Sequence, residues 1–500
     1  MKTVQGYALC LVMGLGSLAV QAQVADTDGD GIADAVDNCR TVANPAQLDS
    51  NGDSYGNMCD ADLNNDCISN FADLGLLKAA FGSTSASNNW NEDADLNGDG
   101  VVNFGDLGLM KQGFGQAPGP AGQFQCGAPV LPAATFDYVN YAETSLPDHF
   151  TNPLSPGNVS LIDNQTLVNN DLTNPGATLG RVLFYDKRLS VNNTVACASC
   201  HEQALGFDDP DRFSTGVNGQ TGRHAMPLAN NRFYGGAMGA GPNSRMFWDE
   251  RAASQEAQAL MPIQDPVEMG HDLVTLAANL SATDFYPPLF SAAFGDPAIT
   301  PARIGAAIAQ FERSMASYQS KFDLAYTIPD PNGLPPPNLA VFTPVEARGA
   351  QLFGMPGLNG GGILNCGACH DTVVQQGEQP RNNGLDPARG APFDPGTGAQ
   401  PGGMGAVLFK VASLRNVGVR EHFMHDGRFS SLEEVVEHYN SGVLAHPDLH
   451  PILQDVNGNP QQLNLSEADK AALVAFMNTL TDPTFLTAPQ FSDPFINDPF

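Results

Sequence analysis

Basic residues are scarce: 23 Lys and Arg stand against 54 Asp and Glu, a formal net charge of −31 over 500 residues. Binding a phosphate backbone depends on basic side chains, so nucleic acid is excluded as a partner. Long apolar runs are lacking after the first residues, which excludes a transmembrane anchor beyond them. Tryptophan is reduced to Trp90 and Trp248. Cysteine is sparse and clustered: Cys39, Cys59, Cys67 and Cys126 precede residue 130, and those after it form two close pairs. At this length a single core is excluded, and two or three domains are expected.

The N-terminal run is the exception to the lack of apolar stretches. Lys2 precedes the segment Ala8 to Val20, and Val20-Gln21-Ala22 has the small-residue spelling of a signal-peptidase site. Residues 1–22 therefore read as a signal peptide and the mature chain as periplasmic or secreted. Cys10 lies inside the run without the small residue ahead of it that a lipoprotein signal carries. Export puts the early cysteines where disulfides form.

What is there in duplicate is C-x-x-C-H. Cys197-Ala198-Ser199-Cys200-His201 is matched by Cys366-Gly367-Ala368-Cys369-His370, the spelling that attaches c-type haem through two thioethers and a proximal His. A zinc knuckle would need a further ligand pair at each copy. The repeat extends outward: Gly180, Leu183 and Phe184 match Gly349, Leu352 and Phe353 at the same offset of 169. Two haems on duplicated, mainly α-helical c-type cytochrome domains are expected. Helical spacing runs over Thr178 to Phe184, Pro344 to Phe353 and Pro301 to Tyr318. Capping signals open further helices from Ser431 through Tyr439 and from Ser466 through Leu480. Gly and Pro crowd residues 377–405, which read as a long loop over the second haem.

Much of the negative charge lies at the front. Asp26-x-Asp28-x-Asp30-Gly31, continuing to Cys39 and on to Cys59, places hard oxygen donors at alternate positions, a pattern suited to Ca²⁺. Two near-copies follow, Asp62-x-Asn64-x-Asp66 to Asp73 and Asp95-x-Asn97-x-Asp99-Gly100 to Asp106, with Cys67 standing where the second copy has Gly100. The first segment resembles a thrombospondin type 3 repeat, which implies a Cys39–Cys59 disulfide. The paired copies resemble dockerin repeats, which implies either a rigid calcium-stabilised spacer or a docking module for a cohesin-like receptor. Cys67 is a candidate partner for Cys126.

Leu179-Gly180-Arg181, Phe247-Trp248-Asp249-Glu250-Arg251, Pro266-x-Glu268-Met269-Gly270 and Ser413-Leu414-Arg415-Asn416 through His425-Asp426-Gly427 resemble the bacterial di-haem cytochrome c peroxidases and their MauG-type relatives, over residues 140–485. The resemblance implies a peroxidatic haem on His201, Glu268 as its acid-base group, Gln258 beside it and Trp248 between the haems. It implies a six-coordinate second haem on His370, with Tyr439 as the far ligand and Met424 as its rival. Val217 stands where conventional peroxidases carry a blocking His, so the first haem is expected to react without prior reduction unless His224 swings in. Relatives hold an interdomain calcium; His224 replaces its Asn, and the Thr and Pro partners are absent around Arg420 and His422.

The expected order is signal peptide (1–22), thrombospondin type 3-like repeat (23–60), dockerin-like pair (61–115), linker (116–139), peroxidatic haem domain (140–325), electron-transfer haem domain (326–485) and tail (486–500). Three functions compete. One is peroxide reduction with electrons from a small cytochrome c or copper protein. Another is peroxide-dependent oxidation of a residue such as Trp on a partner protein. The last is a non-enzymatic electron carrier, which has no use for Glu268 and Gln258.

Overall fold

The computed structural model describes residues 25–51, 55–64, 67–121, 131, 135–160, 170–234, 245–329, 337–358, 364, 366–377, 379–387, 394–401 and 406–495. The expected signal peptide, Asp66 and Cys126 lie outside them. The chain divides between residues 129 and 130 into two compact units.

In the first unit two helices, Phe71–Ala80 and Phe104–Gly113, start in the same way. Asn70 and Asn103 accept from the first helical turn, while Asp73 and Asp106 reach back to the Asn backbone, so each start satisfies its own orphan donors. The same carboxylates also accept from Asn64 N–H and Asn97 N–H, each at 3.1 Å, folding each acidic loop onto its helix. Cys67 adopts φ +68° where Gly100 has φ +83°, so the Cys accepts the left-handed backbone that its loop requires. Cys39 and Cys59 are disulfide-bonded to each other, and Cys67 is also in a disulfide.

The second unit is mainly helical; among its described residues the strands amount to one short hairpin, Thr215–Gly216 with Gly219–Gln220. Two helix crossings organise it. Asn174–Tyr185 packs on Pro301–Ser314, and Pro344–Phe353 on Glu467–Asn478. Glycine permits both contacts: a Cβ on Gly180 would lie 2.0 Å from the Ala307 carbonyl oxygen, and one on Gly349 would lie 1.9 Å from that of Ala472. Phe184, Phe207, Phe311, Phe353, Phe476 and Phe485 belong to one apolar cluster that runs through both crossings. Arg415, fully buried, forks onto Asp323 at 2.6 and 2.8 Å, and His149 completes the pairing at 2.8 Å.

Helix ends differ from those expected. The Pro301 helix stops at Ser314, short of Tyr318, because remote side chains take the following N–H groups: Asn230 that of Ser317 at 3.0 Å, and Asp482 those of Tyr318 and Gln319 at 3.1 and 2.8 Å. The Asn174 helix begins earlier than Thr178, capped by Thr173 with Pro175 in its first turn. The Glu467 helix ends at Asn478, two residues before Leu480. After Leu432–Glu437 the chain widens into a π turn, His438–Gly442, with Asn440 and Ser441 bonded back to Glu437.

Candidate haem sites and the seam between them

Each C-x-x-C-H segment begins as a single 3₁₀ turn, Cys197–Ser199 and Cys366–Ala368. The His N–H of each closes onto the first Cys carbonyl at 3.0 Å. The imidazoles are then oriented by backbone: His201 Nδ1 meets Phe207 O at 3.0 Å, and His370 Nδ1 meets Gln375 O at 2.7 Å. A carbonyl can only accept, so Nδ1 carries the proton and Nε2 keeps its lone pair for a metal. Phe207 and Gln375 hold φ values of +63° and +48°, so both anchors use strained non-glycine backbone. Burial lowers the pKa of both His residues, that of His370 to about 4, which keeps the rings neutral as ligands.

Cys197, Cys200 and His201 line a cavity of about 330 Å³, and Cys366, Cys369 and His370 line another of about 240 Å³. Paired thiols, a neutral His of fixed tautomer and a cavity at each copy fit a covalently held haem.

The linings differ in chemistry. Glu268, Gln258, Asp265 and Glu312 face the first cavity. Gln258 comes from the helix Gln255–Gln264, and Glu268 from the loop that follows it. That loop is held by Val217 N–H donating to Glu268 O at 2.9 Å, a contact that only Gly216 permits, since a Cβ there would lie 2.0 Å from Val267 O. Val217 thus acts through its backbone. The Glu268 pKa is raised by burial and by the neighbouring Asp265 charge, against a smaller opposing effect of Arg251.

The second cavity is mostly apolar, and Tyr439 and Met424 both reach it. Asn383 Nδ2 lies 3.4 Å from Tyr439 OH and 3.4 Å from Met424 Sδ, so the two rival ligands sit side by side. Burial pushes the Tyr439 phenol up to about 12.

Trp248, His224 and Lys410 line both cavities. Trp248 Nε1 donates to His224 O at 2.8 Å, and Lys410 N–H donates to Trp248 O at 2.9 Å. His224 packs at the seam: its Nδ1 meets Arg212 O at 3.2 Å, its Nε2 lies 3.3 Å from Asp208, and its N–H donates to His425 O at 3.0 Å. Sequence reasoning missed Glu312 and Lys410. A lone charge between apolar neighbours, Lys410 in Phe409 to Val411, was an available signal; Glu312, followed directly by Arg313, offered none.

In the first unit, Asp26, Asp28 and Asp30 bring carboxylate oxygens within 4.8 Å of one another, the one such acidic triad among the described residues. Asp62 accepts from Cys67 N–H at 2.5 Å, and Asp95 from Asp99 and Gly100 N–H at 3.1 and 2.7 Å. The Asp95 pKa is raised, chiefly by burial and then by Asp106, with Asp99 adding to it.

Residues 174–328 match the family model described as di-haem cytochrome c peroxidase. The chain is 32% identical to methylamine utilization protein MauG of Methylorubrum extorquens, over 64% of this chain and 82% of that one. It is 30% identical to cytochrome c551 peroxidase of Nitrosomonas europaea, over 61% of this chain and 79% of the relative. The chain belongs to the di-haem cytochrome c peroxidase family. Membership makes it an oxidoreductase acting on peroxide, with two c-type haems. A solved MauG-like protein associated with microbial copper homeostasis superposes with a TM-score of 0.54 at 30% identity, covering 70% of this chain and 98% of that one. No helix among the described residues is long and apolar enough to cross a membrane.

Proposed function

We propose that this exported enzyme reduces hydrogen peroxide to water on the His201 side, with electrons from a small cytochrome c or copper protein entering on the His370 side. The observation that carries this reading is the asymmetry of the cavities: Glu268 and Gln258 face one only, and Trp248 borders both. When bound, each haem supplies a redox-active iron, and the one on His201 a position for peroxide. Glu268 takes a proton from the near peroxide oxygen and returns it to the departing one, lowering the barrier to O–O cleavage. Two protons and two electrons then turn one peroxide into two waters. Gln258 orients the oxygens through its amide, and Trp248 carries charge between the pockets. Tyr439 is the favoured far ligand on the His370 side, ahead of Met424.

Tyr439 in the His370 cavity, together with Val217 in place of a blocking His, also favours a second reading, peroxide-dependent oxidation of a residue such as Trp on a partner protein. One comparison separates the two: steady-state peroxide turnover with a reduced cytochrome donor, run beside a search for modified tryptophan in co-purified proteins. Fast donor oxidation supports the first reading; its absence together with a modified partner supports the second.

For the front unit we infer calcium binding by Asp26, Asp28, Asp30 and the two acidic loops, as a spacer or as a module for a cohesin-like receptor. Deleting residues 23–125 is expected to leave turnover within about twofold and to abolish tight calcium binding, read by calorimetry.

A further inference from the structure

Between the pockets lie three buried polar atoms that make no hydrogen bond among the described residues: Asp208 Oδ1, His224 Nε2 and Arg420 Nε. They come from three separate segments yet converge. His224 Nε2 is 3.3 Å from Asp208 Oδ1, and Arg420 Nε is 3.7 Å from Asp208 Oδ2, with all three side chains almost fully buried. Asp208 directly follows Phe207, whose carbonyl orients His201, and its own carbonyl accepts from Glu202 N–H at 2.9 Å. Arg420 lines the second cavity and holds that side through Nη2, which donates to Ser413 O at 3.0 Å and Arg415 O at 2.5 Å. The carboxylate thus comes from the loop that follows the first C-x-x-C-H, and it meets the guanidinium at the wall of the second cavity, which both residues line. His224, whose carbonyl holds the Trp248 indole, lies against that carboxylate.

We propose that Asp208 and Arg420 are positioning residues that clamp His224, and through it Trp248, between the two haem pockets, and so set how fast an electron passes between them. An unpaired buried charge is costly, so each partner keeps the other in place, and neither side of the seam can move without separating them. The cation at the seam is part of the protein, and the clamp needs no divalent metal. The proposal rests on the reading that Trp248 carries charge between the pockets.

The test uses the full two-haem protein in a Trp90→Phe background, where Trp248 is the remaining indole. Asp208→Asn and Arg420→Gln are checked by mass and absorbance for both haems. Ultraviolet resonance Raman in D₂O then follows indole N–H exchange, and photoreduction by one electron follows its redistribution between the haems. Both variants are expected to speed indole exchange tenfold or more and to slow redistribution at least fivefold. Asp208→Glu and Arg420→Lys should recover most of each change, and they carry the test if the first pair loses haem. Wild-type exchange in a two-haem Asp208→Asn or Arg420→Gln protein overturns the proposal. So does a chelator that reproduces the slow redistribution in the unaltered protein, since the bridge would then be a metal. Trp248→Phe separates the two layers: unchanged redistribution in that variant sinks the relay reading, while indole exchange still judges the clamp.

Discussion

Around His201 and around His370 the chain repeats a glycine-mediated helix crossing, a C-x-x-C-H turn and a backbone carbonyl on Nδ1, but it faces the two cavities with different chemistry. The repeat reaches single residues. Phe311 packs beside Gly180 and Phe476 beside Gly349, and the next residue on each helix faces its cavity as Glu312 in one and Met477 in the other. Glu268 and Gln258, which face one cavity only, suit proton transfer there; the more apolar lining of the other, with Tyr439 and Met424, suits an iron that only exchanges electrons. Scaffold and chemistry are therefore separable: the crossings fix where a haem sits, and the lining decides what it does.

The sharpest way to break this comparison is Glu268→Gln. Both haems should remain attached with their spectra nearly unchanged, while peroxide turnover falls by about 10²-fold or more, the scale for losing a positioned acid-base group. Wild-type turnover in that variant would remove the chemical distinction between the pockets.

The common scaffold predicts equal penalties. In Gly180→Ala or Gly349→Ala the new methyl overlaps a backbone carbonyl of the partner helix. Overpacking of this kind costs about 2 to 3 kcal/mol and exceeds the roughly 1 kcal/mol that Ala gains over Gly in a helix. Chemical denaturation of the two variants should give losses within about 1 kcal/mol of each other. A large difference would mean that the crossings are alike in geometry and unlike in load.

A narrower change distinguishes the far ligands. Electron paramagnetic resonance should show a high-spin ferric signal from the His201 haem at rest and a low-spin one from the His370 haem. The low-spin signal should shift in Tyr439→Phe and persist in Met424→Leu. Two low-spin haems at rest, unreactive until one electron is added, would mean that the first pocket carries a blocking ligand after all, despite Val217.

Much of this plan was legible because it is local or repeated. The duplicated pentapeptide, with Gly180 and Gly349 at one offset, marks both haem turns and the helix before each; the crossings that those glycines permit emerge only in the fold. The spelling Asn-x-x-Asp at residues 70–73 and 103–106 likewise carries its own capping geometry. What escaped depends on residues distant in the chain. The Pro301 helix ends early because Asp482 and Asn230 claim the next donors, and no periodicity within the helix encodes that. Val217 reads as an empty ligand position in the sequence, whereas the fold uses its backbone to hold the Glu268 loop. The convergence of Asp208, His224 and Arg420 is a product of tertiary packing alone.

The smallest expected effect concerns Glu312, and its sign follows from burial. Desolvation lifts its pKa from 4.5 to about 7, opposed by the Gln255 hydrogen bond and by Arg313, with Glu256 adding to the rise. Below pH 4.5 the group is protonated in folded and unfolded chains alike and has no effect on stability. Between there and pH 7 the unfolded chain has already released a proton that the folded one keeps, so stability falls as pH rises. Above that range both forms are ionised and the loss is constant, about 1 to 3 kcal/mol. Glu312→Gln keeps an acceptor for Gln255 Nε2, now 2.8 Å from the carboxylate, and removes the charge. It should match the unaltered protein at pH 4.5 and exceed it by about 1 to 3 kcal/mol at pH 8, read by denaturant midpoints at both values. Met477→Leu, at the matching place in the second cavity, should show no such pH dependence. If the Glu312 variant gains nothing at pH 8, the carboxylate is compensated inside the cavity, and the two linings differ less in electrostatic cost than their residues suggest.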